Sequence, residues 1–484
     1  MFFAPGKCGA HTIRIRIASV RMMKFLLVLV VIISGFVAHA PPGAAASPSL
    51  KQSDSVVVLI SLDGLAGFYF DDPKAEMPTL RRLVAGGAFS GNMRASTPSV
   101  TWPNHTSIVT GMTAGTHGVT GNSFLDRGTN KSIALIGDAV YDKAEIVRVP
   151  TIYDLAHQAG LTTASIRWPA TRNAATLDIQ YGDMSDMALF EKTATPFLRE
   201  ECIAKGIWTE TRPDKDGNPK PTVTDAMSVR VFNHIITKYR PGFALLHLID
   251  VDHDQHQYGP RTPEAYKAIA KIDSEVAEVI THLERTYGGD FTVFIVSDHG
   301  FSPITSLILP NVILRDAGLV EVKGTQITGG SVRTVIQGGS TLVYITDAAN
   351  RDAIASKVAE IFSAHEQIDR VVTTEQLATY GVGNPATDRQ APDMILFAKE
   401  GYAFGAIAAG VMTSLDKPET KGTHGHNPDL PHLRATFIAY GKGVRPGVEL
   451  GDIANLDVAP TIARLMNLPL QNAEGKVLGA ALSR

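Results

Sequence analysis

Six residues able to ligate metal ions lie far apart in this chain: Asp63, Asp252, His256, Asp298, His299 and His424. Mixed carboxylate and imidazole donors suit zinc or another divalent first-row ion. Asp252 and His256 have a D-x-x-x-H spacing, although Asp250, His253 and Asp254 compete in the same window. Each piece alone has a plain structural explanation: an Asp before Gly forms turns, and a His in Gly-Thr-His-Gly-His can be an ordinary loop residue. Together, six ligands divide into two sets of three. Two metals about 4 Å apart clamp the attacking and leaving oxygens of a phosphoryl displacement.

A candidate nucleophile stands in TPSVTWPNH, Thr97 to His105. Three hydroxyls, Thr97, Ser99 and Thr101, precede a Trp-Pro-Asn-His turn and the run Ser107 to Thr110. One hydroxyl could simply cap a helix. A hydroxyl at a helix start beside a metal could instead ionise, because the metal and the helix N-terminus both favour an alkoxide and an incoming phosphate. Pro103 fits a first helical turn. A cap needs none of the six candidate ligands, so their presence favours a nucleophile among the three hydroxyls.

Distant ligands must be brought together by a fold. Val56–Ser61, Phe243–Ile249, Phe291–Ser297 and Ala435–Tyr440 are short apolar runs, which read as buried parallel strands. Helical patterns such as Pro263–Arg285 lie between them. Strands alternating with helices predict an α/β fold with a mostly parallel central sheet flanked by helices. In such sheets ligands bind beyond the carboxyl ends of the strands. Asp63, Asp252, Asp298 and His299 all fall there.

Two stretches look like insertions: about 125–225, polar and irregular, and about 318–400. The second has a strand–helix–strand pattern (Thr341–Thr346, Ala353–His365, Arg370–Thr373) that suits a small cap lobe. The catalytic domain spans 55–484.

The 484 residues are 44% hydrophobic and 19% charged, with a formal net charge of -3. No basic excess argues for nucleic-acid binding. Residues 1–40 differ: Arg14, Arg16, Arg21 and Lys24 precede the apolar run Phe25–Val37 and the small-x-small site Ala38-His39-Ala40. This reads as a secretory signal peptide, and Met22 or Met23 would also start one. The run is shorter than the roughly 20 residues a stable membrane span needs; an uncleaved anchor is the alternative. Residues 41–54, rich in Pro, Ala, Gly and Ser, read as a flexible leader. The only cysteines are Cys8 and Cys202, and Cys8 lies in the signal region, so no internal disulfide can form. An exported chain of this size without disulfides suits a bacterial periplasm or secretion. Nothing in the sequence sets an oligomeric state.

The motif set resembles the alkaline phosphatase superfamily, and within it the nucleotide pyrophosphatase/phosphodiesterase branch. The resemblance runs from about residue 55 to the C-terminus. It rests on Leu62-Asp63-Gly64, Thr101 to His105, Val109-Thr110-Gly111, His117-Gly118, Asn122, Trp168-Pro169, Asp252 through His256 to Gly259-Pro260, Ser297 to Gly300, and Gly422 to Asn427. It implies an alkaline-phosphatase-like sandwich with two Zn²⁺ ions. One zinc would take Asp63, Asp298, His299 and the Thr101 oxygen; the other would take Asp252, His256 and His424. Thr101 would pass through a phospho-threonine intermediate, with Asn122 near a non-bridging phosphate oxygen. The substrate would be a small phosphate ester such as a nucleotide. Trp102 would form one wall of a nucleobase slot. The opposite wall, a tyrosine in the family, is His247 here, which puts nucleotide preference in doubt. Trp168 either lines the pocket or fills the core. Arg167 and Lys421 read as solvated charges more readily than as phosphate contacts, and Asn104 and His105 as braces of the helix start.

Several rivals remain. A phosphate monoesterase would use the same di-zinc site and differ in what meets the non-transferred oxygens. Sulfatases resemble a C-x-P-x-R pattern, and neither cysteine stands in one. A cytosolic phosphoglycerate mutase would carry a serine nucleophile and no signal. A zinc- or phosphate-binding protein without turnover would not need Thr101.

Overall fold

In the computed structural model the described residues are 49–483 apart from 139, 183–186, 209–210 and 214–218. The signal segment of 1–40 and leader residues 41–48 lie outside them. The end of the leader that is described is tied down. Ser53 N donates to Arg240 O (2.9 Å), and Thr162 Oγ1 donates to Lys51 O (2.7 Å).

Seven strands carry the central sheet: β1 (Val56–Leu62), β2 (Ala88–Arg94), β3 (Thr163–Ile166), β4 (Ile179–Tyr181), β5 (Phe243–Leu248), β6 (Phe291–Val296) and β7 (Ala435–Gly441). Their spatial order is β2-β7-β6-β1-β5-β3-β4, and the short strands Val448–Glu449 and Asp452–Ala454 run beside β2. Both neighbours of β1 run parallel to it.

Strand β7 corrects the sequence expectation: it is antiparallel to both β6 and β2. An apolar run reports burial on both faces, and it is silent about direction. A second correction concerns 125–225. β3 and β4 lie inside that supposed insertion yet belong to the sheet, paired parallel to β5 and to each other.

The sheet separates two cores by side-chain alternation. Val56, Val58, Ile60 and Leu62 of β1 pack on one side, with Ala244, Leu246 and Leu248 of β5 and Val293 and Ile295 of β6. Val57 and Leu59 point to the other side, with Phe243, Leu245, Phe294 and Val296. Each such fully buried aliphatic contributes about 1.5–3 kcal/mol.

Four helices matter for the site: α1 (Thr101–Thr110), α2 (Asp225–Tyr239), α3 (Asp250–Tyr258) and α4 (Pro263–Tyr287). α4 starts with Thr262 Oγ1 accepting from Ala265 N (3.3 Å) and Pro263 in its first turn. Its stripe Ile269, Ile272, Val276, Val279, Ile280 and Leu283 recurs at helical spacing and lies in the first core.

Residues 332–398 form a four-stranded antiparallel sheet, in the order Val332–Gln337, Ser340–Ile345, Met394–Ala398, Ile368–Val372. The helix Arg351–Ser363 packs on it through Val358 and Phe362. Its first hairpin turns on Gly338 and Gly339. Gly338 has φ +69°, and a Cβ on Gly339 would stand 2.2 Å from the His426 ring.

Glu275 of α4 is buried beside Asp225, with Lys271 Nζ 3.1 Å away. Burial, and then the Asp225 charge, push its carboxyl up to about 7. The folded chain therefore keeps a proton there that the unfolded chain releases near pH 4.5. Stability from this group is full below that value and is lost as pH rises through 7. Glu275→Gln should be more stable than wild type by about 1–3 kcal/mol above pH 7, and no more stable below pH 4.5. Urea unfolding across pH checks this.

Candidate active site

The site is built where β1, β5 and β6 end together. After β1 the chain turns at Asp63-Gly64; Gly64 has φ +69°, and its N–H donates to Asp298 Oδ1 (3.2 Å). After β5 the chain enters α3 at once, which puts Asp252 and His256 one turn apart on the same face. After β6 come Ser297, Asp298 and His299. Ser297 Oγ donates to His299 O (2.7 Å), and Gly300 leaves no room for a Cβ, which would lie 2.3 Å from His432 O. His424 arrives on a loop whose Gly422-Thr423 pairs with Ser302-Pro303.

These residues gather into two groups, Asp63/Asp298/His299 and Asp252/His256/His424, with the donor atoms of each group within 4.8 Å of one another. In the first group His299 Nε2 lies 3.4 Å from Asp63 Oδ1 and 3.1 Å from Asp298 Oδ2. In the second, Asp252 Oδ1 lies 3.4 Å from His256 Nε2 and 3.6 Å from His424 Nε2. The groups adjoin: the His299 and His424 rings stack with centroids 3.6 Å apart at 11°.

The donor set fits metal binding. His256 Nδ1 donates to Gly422 O (3.0 Å), His299 Nδ1 to Gly300 O (3.1 Å) and His424 Nδ1 to Ser99 O (3.1 Å). A carbonyl only accepts, so each ring turns Nε2 towards its group, as metal-binding histidines do. Asp252 Oδ1, Asp298 Oδ2 and His299 Nε2 are buried and have no hydrogen-bond partner among the described residues. The short contacts between them converge without hydrogen-bond geometry. Unsatisfied buried polar atoms cost about 1–3 kcal/mol each, and more when charged, so the arrangement calls for a cation.

Electrostatics agree. Burial, and then the neighbouring His299 and His256 rings, hold His424 well below the usual histidine value, so it is neutral as a ligand must be. Burial opposes charge on Asp298, yet the imidazoles of His299 and His105 outweigh it and keep its carboxyl well below the usual carboxylate range. Burial likewise opposes charge on His299, and Asp298 more than offsets it.

Thr101 is the first residue of α1. The N-cap is Val100, with no side-chain cap bond, so the Thr101 hydroxyl is not a cap. Its neighbours reach both groups: Ser99 O accepts from His424, and His105 Nδ1 lies 3.6 Å from Asp298 Oδ2. Ser99 Oγ donates to His426 O (2.7 Å), which marks it as structural. Asn104 clamps the approach, with Nδ2 donating to Pro98 O and Val100 O and Oδ1 accepting from Ser96 N. Asn122 Oδ1 accepts from Trp102 N (2.8 Å), and Asn122 N donates to Gln337 Oε1 (3.0 Å). The lobe of 332–398 thus holds Asn122 against the first turn of α1.

A cleft of ≈ 360 Å³ opens over this floor. Its lining includes Asn122, His256, Gln337 and His424 together with the apolar Ile304, Leu307, Ile336 and Phe404. No Lys or Arg lines it among the described residues.

Three expected substrate contacts are not part of this lining. Trp102 is 2% exposed and packs with Val119, Phe124, Leu135, Ile146 and Ala170. Trp168 is fully buried, edge-on to His105 at 4.9 Å. His247 is fully buried in β5, with Nε2 on Asp63 Oδ2 (2.9 Å) and Nδ1 on Arg167 O (3.1 Å). It supports a candidate ligand and forms no wall. Arg167 is no solvated charge either, being buried against Asp225. Lys421 Nζ donates to Pro418 O. Gln337 and Asp225 were not anticipated from sequence, and only the lone polar His247 in an apolar strand gave a signal.

Among the described residues, no helix is long and apolar enough to cross a membrane. The family model described as type I phosphodiesterase / nucleotide pyrophosphatase matches residues 57–427. Human ectonucleotide pyrophosphatase/phosphodiesterase family member 1 is 24% identical over 440 residues, 89% of this chain and 41% of that protein. The chain thus spans about two fifths of that relative's length. An uncharacterized pyrophosphatase/phosphodiesterase of Schizosaccharomyces pombe is 23% identical over 497 residues, 96% of this chain and 88% of that protein. The murine ectonucleotide pyrophosphatase / phosphodiesterase 5 structure, an inactive variant in complex with AMP, superposes with TM-score 0.67 at 18% identity over 90% of this chain and all of that one. It shares the fold: a mostly parallel sheet between helices. With the family match covering more than half its length, the chain belongs to the type I phosphodiesterase / nucleotide pyrophosphatase family.

Proposed function

We propose that the chain is an exported hydrolase of phosphodiester or pyrophosphate bonds that holds two zinc ions and acts through a phospho-threonine. The observation that carries this is the pair of adjoining carboxylate–imidazole groups flanking the start of α1. Asp63, Asp298 and His299 would hold one ion and Asp252, His256 and His424 the other. When bound, the ions favour the ionised Thr101 hydroxyl and neutralise charge on the phosphate.

The Thr101 oxygen attacks phosphorus, the P–O bond to the departing group breaks, and the phospho-threonine is then hydrolysed. Asn122 is held by Trp102 N and Gln337, which leaves its side-chain amide NH₂ as the group that would donate to a non-bridging oxygen as charge builds there. The N-terminus of α1 supplies further positive potential. Asn104 fixes the backbone that aims Thr101.

The cleft lining favours diesters over the monoester alternative. A monoester dianion asks for extra cations at its non-transferred oxygens, and the cleft lining offers no Lys or Arg among the described residues. The substrate remains a small phosphate ester such as a nucleotide; the AMP held by the murine relative supports that class. A nucleobase would meet apolar residues of the cleft lining such as Ile304, Leu307 and Phe404, because Trp102 and His247 are interior. The signal-like N-terminus supports export to a bacterial periplasm or medium.

Thr101→Ala should keep its metal content and lose roughly 10³-fold or more in kcat. Single-turnover kinetics with metal analysis checks this, and wild-type rates would overturn the nucleophile. Bis-p-nitrophenyl phosphate should be cleaved with higher kcat/KM than p-nitrophenyl phosphate, and activity should vanish on full chelation and return with zinc. A monoester preference of roughly 100-fold, about 2.7 kcal/mol in transition-state terms, would reverse the choice of substrate class.

A further inference from the structure

We propose that Arg167 is a positioning residue that ties together the two metal-binding groups, serving each through a different part of itself. The inference rests on the two-metal reading of the site. Arg167 follows β3 and has φ +59°, a left-handed conformation uncommon for a residue with a long side chain. That conformation stands where its carbonyl accepts from His247 Nδ1 (3.1 Å), while His247 Nε2 meets Asp63 Oδ2 (2.9 Å). One arm therefore runs from the Arg167 backbone through His247 to a ligand of the first group.

The other arm is the side chain. Arg167 Nη1 donates to Asp225 Oδ1 (2.8 Å), in a pair with both side chains almost wholly buried. Asp225 Oδ2 accepts from Ile249 N (2.8 Å) and Asp250 N (2.7 Å), the opening N–H groups of α3. Asp225 lies in α2, so it caps α3 from outside, with its carboxylate at the positive end of the helix. α3 carries Asp252 and His256, whose ring pair with His424 forms the second group.

A buried ion pair is weak support for stability alone, since apolar residues often do as well. Its value here is geometric. Arg167 is the cation that meets Asp225 in the interior, and α3 starts on the Asp225 carboxylate two residues before Asp252. Removing the guanidinium takes the ion-pair partner from Asp225 and loosens the start of α3.

The arms predict separable effects. Arg167→Met removes the guanidinium and keeps the carbonyl, so it should weaken zinc only at the Asp252/His256/His424 group. His247→Gln should weaken zinc only at the Asp63/Asp298/His299 group. The test is zinc titration of the purified full chain against a chromogenic chelator, with far-UV circular dichroism confirming the fold. Wild type should bind two zinc ions. Arg167→Met should lose at least tenfold in affinity for one and keep the other. Combined with His424→Ala it should lose nothing beyond His424→Ala alone, whereas combined with Asp298→Asn it should weaken both. Should Arg167→Met not fold, Asp225→Asn, nearly isosteric, and Arg167→Lys carry the same titration; Asp225→Asn should give the single-site loss and Arg167→Lys a smaller one. Folded variants with two wild-type affinities, or with equal loss at both sites, would overturn the proposal. Wild type binding no zinc would instead overturn the two-metal reading on which it rests.

Discussion

The site is organised around a concentration of buried acceptor atoms that lack a donor among the described residues. Asp252 Oδ1, Asp298 Oδ2 and His299 Nε2 converge inside the protein without hydrogen-bond partners among the described residues. Carboxylates held this close to one another and to imidazole Nε2 atoms call for positive charge among them. The rest of the fold can be understood as what keeps these atoms facing inward. Backbone carbonyls at Ser99, Gly300 and Gly422 each take an Nδ1–H, which turns the three Nε2 lone pairs to the centre. Glycine at 64, 300 and 422 lets backbone crowd around them.

A parallel sheet is well suited to this task. Neighbouring parallel strands end on the same side, so β1, β5 and β6 deliver Asp63, α3 and Asp298-His299 to one place although they are far apart in sequence. The continuous apolar runs of these strands are buried on both faces right up to those ends. The lobe of 332–398 adds a second support. Its tight hairpin at Gly338-Gly339 touches the His424 loop, with Gly339 N donating to His424 O (2.7 Å), and Gln337 beside it holds Asn122. A candidate metal ligand and the candidate oxyanion donor thus share one brace.

Much of this was legible in the sequence, for reasons that differ by element. The continuous apolar runs of β1, β5, β6 and β7 announce strands because both faces are covered, but they cannot announce that β7 runs backwards. Strand β3, Thr163–Ile166, is too short and too polar to stand out, and its place comes from pairing with β5. The candidate ligands could be picked out because strand-end Asp and His have few structural reasons to recur together. The substrate walls were not. Trp102 and His247 occupy the sequence positions where the resemblance expected walls, yet the segment around Phe124–Ile146 covers the first and Asp63 engages the second. Arg167 looked like a solvated charge, because its partner Asp225 is 58 positions away and only the fold brings them together.

The central claim is that these two groups each hold a cation. The most direct measurement is anomalous scattering at the zinc edge from crystals of the full chain grown with zinc. Two peaks about 4 Å apart are expected, one among Asp63, Asp298 and His299 and one among Asp252, His256 and His424. A zinc-replete crystal with no peak at either group, or with one peak only, would contradict it.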